Sequence, residues 1–307
     1  MNILFKSFKF INVVFLSFYV IAHAKENEQA FLWQVQNKHI TVYLAGSIHA
    51  LNERHYPLPQ AYLDAYQKSD NLVVELNVNK LDPYISQSLI QSKMWLPVNQ
   101  TLEKYLSKNA LDALKHFNIR NKSEYEKLIR MRPWMVIEQL TGYQLKQTQF
   151  KADLGLDQYF LQMAEKNNKP ILELETLEQQ ITAIADSPFH SQIAALEVSL
   201  SQLDDKDYLE KMVNYWERAD PVGLYNFVYQ DVVQNPKLGP MMKSLLDDRN
   251  KSMADVIALY LNQPISRRNN YFVVVGALHL TGPNSIQKQL ERKGYFVQPL
   301  FKKESIN

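Results

Sequence analysis

One pattern occurs at both ends of the chain and limits what it can build: strand, glycine, two residues, histidine, loop, helix, strand. Near the start, "ITVYLAGSIHALN" carries Gly46-Ser47-Ile48-His49 and continues through the helical "LPQAYLDAYQKSD" to the strand-like "NLVVEL". Near the end, "YFVVVGALHL" carries Gly276-Ala277-Leu278-His279 and continues through "NSIQKQLERKG" to "YFVQPL". Strands alternating with helices predict a largely parallel sheet with crossover connections. The glycine permits a tight exit from the strand, because it tolerates backbone angles denied to other residues. Both histidines then stand outside the carboxyl ends of strands, where open α/β sheets place their sites. A lone histidine there is most simply bonded to a backbone carbonyl. Two in matching context point to a site, since imidazole is the commonest metal ligand and general base.

The remaining pattern fills in an α/β fold. "FLWQV" and "ITVYLAG" flank the turn residues Asn37-Lys38 and read as a hairpin entering the sheet. From about Leu81 to Asn269 the periodicity is helical, interrupted by one strand, "KPILELE". Thr176 is placed to cap the helix that follows, and Pro188 opens another. The expectation is a central, largely parallel sheet from two related halves, about 30–80 and 270–302, with a mostly helical insertion over 81–269. No low-complexity linker or short repeat divides residues 25–307, so they read as a single domain.

The first 24 residues read differently. Lys6 and Lys9 precede an apolar run from Phe10 to Ile21, and Ala22-His23-Ala24 supplies an A-x-A site. That is the plan of a secretory signal peptide, and the run is shorter than the roughly 20 residues of a membrane span. The expected product is exported, periplasmic or secreted, after cleavage near Ala24, and no later segment is apolar enough to span a bilayer. The formal charge of +2 equals the contribution of Lys6 and Lys9, so the chain beyond them is formally neutral. Without basic blocks it offers no footprint for nucleic acid. Cysteine is absent, which excludes disulfides, thiolate metal sites and a cysteine nucleophile.

Glu75 interrupts "LVVEL" near a strand end, where a carboxylate is costly unless a cation or donors meet it. With His49 and His279 it forms a His₂Glu set suited to a catalytic divalent metal with an open water position. Arg249, followed by Asn250 at a predicted helix start, is a cation able to clamp a carboxylate or a developing oxyanion; a surface pair with Asp247 or Asp248 explains it equally well. Glu173 and Glu175 in "ILELET", and Asp157 in "GLDQYF", have local explanations as caps, salt bridges or a helix start. His55 and Arg54 share the loop after His49, and His55 is a lesser candidate to line the site. His39, His116 and His190 have solvated or pre-strand positions. No H-E-x-x-H, P-loop, G-x-G-x-x-G or G-x-S-x-G occurs.

Together these residues resemble the TraB/GumN family, whose relatives include the Tiki metalloproteases and, further off, erythromycin esterases and ChaN-like proteins. The paired motifs fall on Gly46–His49 and Gly276–His279, the strand-borne glutamate on Glu75 and the Arg-Asn pair on Arg249-Asn250. The resemblance extends over nearly the whole chain after residue 24. It implies two related halves around a central sheet and, for the Tiki branch, peptide hydrolysis dependent on a divalent metal, manganese or cobalt, with zinc also compatible. On that basis the chain is expected to be an exported metal-dependent hydrolase acting on a peptide or small-molecule substrate. His49, His279 and Glu75 would hold the metal, Glu75 serving as ligand or base, and Arg249 would face the oxyanion. Two other assignments use the same residues. One is a metal-free, erythromycin-esterase-like hydrolase with a histidine base oriented by Glu75; the other is a non-catalytic protein that binds or shuts down a peptide or small ligand.

Overall fold

A computed structural model of the chain describes residues 29–117, 122–205, 207–267 and 269–301. Residues 1–24, expected from the sequence to be a signal peptide and including His23, lie outside the described residues. Six strands form one sheet: β1 (Leu32–Asn37), β2 (Ile40–Ser47), β3 (Asn71–Val74), β4 (Ile171–Glu173), β5 (Tyr271–Gly276) and β6 (Val297–Pro299). Their order is β4-β3-β5-β2-β1-β6. The β2–β5, β5–β3 and β3–β4 pairs are parallel, and β1 runs antiparallel to both β2 and β6. This is the mixed, mostly parallel α/β sheet expected from the alternation of elements.

The central strands read as unbroken apolar runs because neighbouring layers cover both of their faces. All of Tyr271–Val275 is buried, as are Val42, Leu44 and Ala45. α1 (Gln60–Gln67) leads from β2 to β3 and turns Tyr62 and Tyr66 into the core. β3 lies on the far side of β5, so this connection passes over the strand that carries the second histidine motif. The two motifs thereby become neighbours. Gly46 lies opposite Val275, and Ser47 opposite Gly276.

Between β3 and β4 lie α2 (Pro83–Lys93), α3 (Lys108–His116), α4 (Lys122–Leu128), α5 (Pro133–Lys146) and α6 (Leu156–Lys166). After β4 come α7 (Leu177–Ala185), α8 (Phe189–Ser201), α9 (Tyr208–Glu217), α10 (Pro221–Gln234), α11 (Gly239–Met242) and α12 (Asp248–Leu261). α13 (Ile286–Arg292) joins β5 to β6. Leu114, Val136, Leu140 and Leu196 build a second hydrophobic cluster within the helical region. Thr176 caps α7 in a capping box with Gln179, and Pro188 precedes α8. Among the described residues no helix is long and apolar enough to cross a membrane.

Three local features depart from the sequence pattern. The hairpin turn falls on Lys38 and His39, with Lys38 at φ 52°. β3 stops at Val74, so Glu75 leaves the strand and is free to turn across the sheet end. Arg249 and Asn250 do not open a free helix end: α11, a π turn over Lys243–Asp247 and α12 follow one another without a break.

Candidate active site

The exit of β2 is fixed by the start of α6. A Cβ added at Gly155 would fall 2.5 Å from the His49 carbonyl oxygen, so only glycine allows this approach. The Leu156 N–H then donates to the Ile48 carbonyl at 3.1 Å. The next residue, Asp157, meets the motif itself. Its Oδ1 accepts from the Ser47 hydroxyl at 2.8 Å and lies 3.2 Å from His49 Nδ1. An ionised carboxylate only accepts, so His49 carries a proton on Nδ1 and presents Nε2 outward. The ring is open, with 70% of the side chain exposed.

The second histidine is held by different chemistry. His279 sits in a single 3-10 turn, Ala277–Leu280, and is buried. Its Nδ1 lies 2.6 Å from Asn250 Oδ1, while Asn250 Nδ2 donates to the Asn284 carbonyl at 3.0 Å. The second bond fixes the orientation of the amide, so Oδ1 must accept and His279 Nδ1 must donate. Its Nε2 lone pair faces Glu75, 3.7 Å from Oε1.

Glu75 joins the two exits. Oε1 accepts from the Gly276 N–H at 2.6 Å, and Oε2 accepts from Arg249 Nη2 at 2.6 Å. Arg249 also grips Glu175 through Nη2 and through Nε at 3.0 Å, and donates from Nη1 to the Leu245 carbonyl at 3.1 Å. Its surface-pair reading therefore does not hold. Asp248 pairs with Lys243, and Asp247 accepts from Asn284. Everything meets over Gly276. A Cβ built there would lie 3.4 Å from Glu75 Oε1, 3.5 Å from His279 Cδ2 and 3.6 Å from His49 Nε2.

Matching motifs have opposite electrostatics. The hydrogen bond to Asp157 raises His49 to about 9 against a smaller burial penalty, although water screens so open a ring. Burial lowers His279 to about 4, with Arg249 and His49 adding repulsion and Glu75 opposing it. Burial alone would raise Glu75, but His279, Arg249, His49 and the Gly276 N–H together hold it down at about 2. The site thus pairs an ionised carboxylate with one proton-bearing imidazole and one neutral imidazole.

The structure brings His49, His279 and Glu75 together over Gly276, with Arg249 on the same carboxylate. Two members are not visible in that pattern: Asp157, whose place in a helix's first turn conceals it, and Glu175, which follows a strand. His55 turns away. Its Nδ1 bonds within the Asn52–His55 capping box, and its ring stacks on Phe150. Arg54 pairs with Glu210, and Glu173 accepts from the Asn77 N–H. His116 bonds back to Asp112 in its own helix.

Two histidine exits on adjacent parallel strands, sharing one carboxylate, define an α/β protein organised around a duplicated motif. All of it lies within residues 31–299, the span matched by the TraB/PrgY/gumN family, and the chain belongs to that family. The uncharacterized protein YbaP of Escherichia coli (strain K12) is 28% identical over 257 residues, covering 83% of this chain and 88% of that protein. YbaP of Shigella flexneri is likewise 28% identical, over 81% of this chain and 87% of its own length. The metalloprotease TIKI1 of Danio rerio is 25% identical over 325 residues, covering 88% of this chain and 63% of that protein. No solved structure matches the chain.

Proposed function

We propose that this chain is an exported hydrolase of peptide bonds, dependent on a divalent cation and working over Gly276. The observation that carries the proposal is the fixed tautomer of both histidines. Asp157 and Asn250 each hold an Nδ1–H, which leaves Nε2 of each ring as the donor atom beside one ionised carboxylate. His49 would have to give up the proton that Asp157 favours before it could hold a cation. Nitrogen donors with orienting partners, plus a carboxylate, form the donor set of hydrolytic metal sites. Among the described residues no three His, Cys, Asp or Glu side chains stand at cation-binding spacing. The chemistry of the donor set fits a divalent cation held by His49 and His279, with Glu75 at the third position or acting as base. TIKI1, by name a metalloprotease, supports the same reading. A bound cation would polarise the scissile carbonyl and make water more acidic.

The chain's own groups divide the remaining work. Arg249 and the Gly276 N–H keep Glu75 ionised and aimed, ready to take a proton from water. Arg249 commits four of its five N–H donors to Glu75, Glu175 and Leu245, which makes it a positioning residue for Glu75. In the metal-free reading, where His49 holds no cation, Asp157 would stabilise positive charge on His49 and suit that ring to return a proton to the leaving amine. The test is elemental analysis and peptide cleavage on the purified protein, with and without chelator, beside His49→Ala and His279→Ala. Both variants are expected to lose cation and turnover; a cation-free protein whose cleavage survives His49→Ala refutes the proposal. Activity that survives chelation but not Asp157→Ala would select a metal-free reading, which the Asp157–His49 pair favours. For export, the expected result is a secreted or periplasmic product whose first residue is Lys25.

A further inference from the structure

The sheet's carboxyl-end crest does not stop at Glu75. Beyond it, the chain leaving β3 and the chain leaving β4 separate and enclose a groove of about 390 Å³. That is within the roughly 300–1,000 Å³ of sites that hold small molecules. Leu76 and Leu81 form one wall, and Leu174 and Leu177 the other. Glu175 also lines the groove, and the same carboxylate holds Arg249 against Glu75. The groove and the histidine site therefore share a wall, side by side along the strand ends where open α/β sheets bind ligands. Its charges are balanced locally. Arg249 offsets Glu175, and Lys80 and Glu173 both line the groove with opposite sign. Beside these charges and the polar Asn77, Thr176 and Gln179, it offers a ligand the aliphatic surface of four leucines.

Resting on the hydrolase reading above, we infer that this groove is a substrate subsite, which selects peptides carrying an aliphatic side chain next to the scissile bond. A leucine-sized side chain buries its surface against the four leucines while the adjoining peptide bond lies over Gly276. A carboxylate or ammonium there would lose water and gain only a site of balanced charge. A pocket of this kind discriminates by about tenfold to two hundredfold.

The test uses the full mature protein and two probes, acetyl-leucine amide and acetyl-aspartate amide, titrated calorimetrically. Peptide pairs that differ only in leucine or aspartate beside the cleaved bond are assayed in parallel. The expected result is tighter binding and at least tenfold higher kcat/KM for leucine. Leu177→Asp should abolish that preference. Leu177 is half-buried at the first position of α7, where an acid is tolerated, and melting curves with Leu81→Ala as a second variant separate lost selectivity from lost folding. Selective binding without turnover of any peptide keeps the groove and removes the hydrolase reading. Turnover without a leucine preference, or a preference unchanged in both variants, overturns the groove.

Discussion

Adding one methyl group at Gly276 tests where the chemistry happens. Contrary to the expectation that the motif glycine supplies backbone angles denied to other residues, Gly276 has φ −51° and ψ 135°, a conformation open to any L residue, so alanine introduces no backbone strain. The new Cβ would stand 3.4 Å from Glu75 Oε1, 3.5 Å from His279 Cδ2 and 3.6 Å from His49 Nε2. These are ordinary contact distances, so nothing needs to move to admit it. Reducing the freedom of the unfolded chain should stabilise the protein by about 0.4–1 kcal/mol. In a chain of this size that is a rise of a few degrees in Tm at most. The same methyl occupies the space over which both imidazoles and Glu75 meet, where a reacting carbonyl or cation would have to stand. Misplacement by about 1 Å costs around a hundredfold, and Gly276→Ala should cost at least that in kcat/KM. The assay is peptide cleavage with cation content and a melting curve on the same preparation. Unchanged or raised Tm with lost turnover is expected; wild-type turnover and cation content in Gly276→Ala would refute the convergence of these three side chains as the reaction centre.

Other substitutions separate the supporting contacts. Asp157→Asn removes the acceptor charge that raises His49, so the His49 pKa, read by NMR on chelator-treated protein, should fall from about 9 towards its ordinary value. A histidine raised in the folded state stabilises fully below about 6.5 and loses that contribution as pH rises through 9. The wild-type Tm should therefore decline over that window, and the Asp157→Asn Tm should decline less. Arg249→Ala leaves Glu75 and Glu175, whose side chains are 13% and 6% exposed, without their cation. Denaturant unfolding should show a loss of about 3–5 kcal/mol, partly recovered in the double variant with Glu175→Gln. Gly155→Ala drives a methyl into the His49 carbonyl, and should cost about 1–3 kcal/mol in denaturant unfolding together with most of the activity.

Which residues the sequence reveals depends on how far away their partners lie. The histidines are legible because each stands three residues after a glycine that ends an apolar strand, a local and repeated signal. Glu75 is legible because a carboxylate inside "LVVEL" conflicts with its surroundings. Asp157 conflicts with nothing, since an acid in a helix's first turn is already favoured by the helix dipole. Its second task, holding His49, acts across 108 residues of sequence and appears only when α6 docks on the exit of β2. Glu175 is concealed in the same way. It stands one residue before a capping threonine, and its partner Arg249 is 74 residues away. The resemblance of the two halves predicted paired strands, but only the passage over β5 makes β2 and β5 adjacent, with the two motifs offset by one residue.

In the metal-free reading that adjacency would give the duplication a chemical use. Two identical histidines a few ångströms apart in identical surroundings would titrate together, and could not act as separate acid and base. Here the motif is repeated while its supports differ. Asp157 donates charge to an exposed ring, whereas Asn250 offers only a neutral oxygen to a buried one. Asp157 favours imidazolium at His49 and burial favours neutral imidazole at His279, the separation of pKa values by which the pair would take acid and base roles in the metal-free reading. Glu75, ionised between them, favours positive charge on both rings, and at His279 burial outweighs it. Converting Asp157 to asparagine would leave both Nδ1 atoms facing neutral carbonyl oxygens, as Asn250 does for His279. If the asymmetry is functional, Asp157→Asn should lose its basic-limb pH dependence along with turnover while keeping the fold; a variant with the wild-type pH profile would show that the two supports are interchangeable.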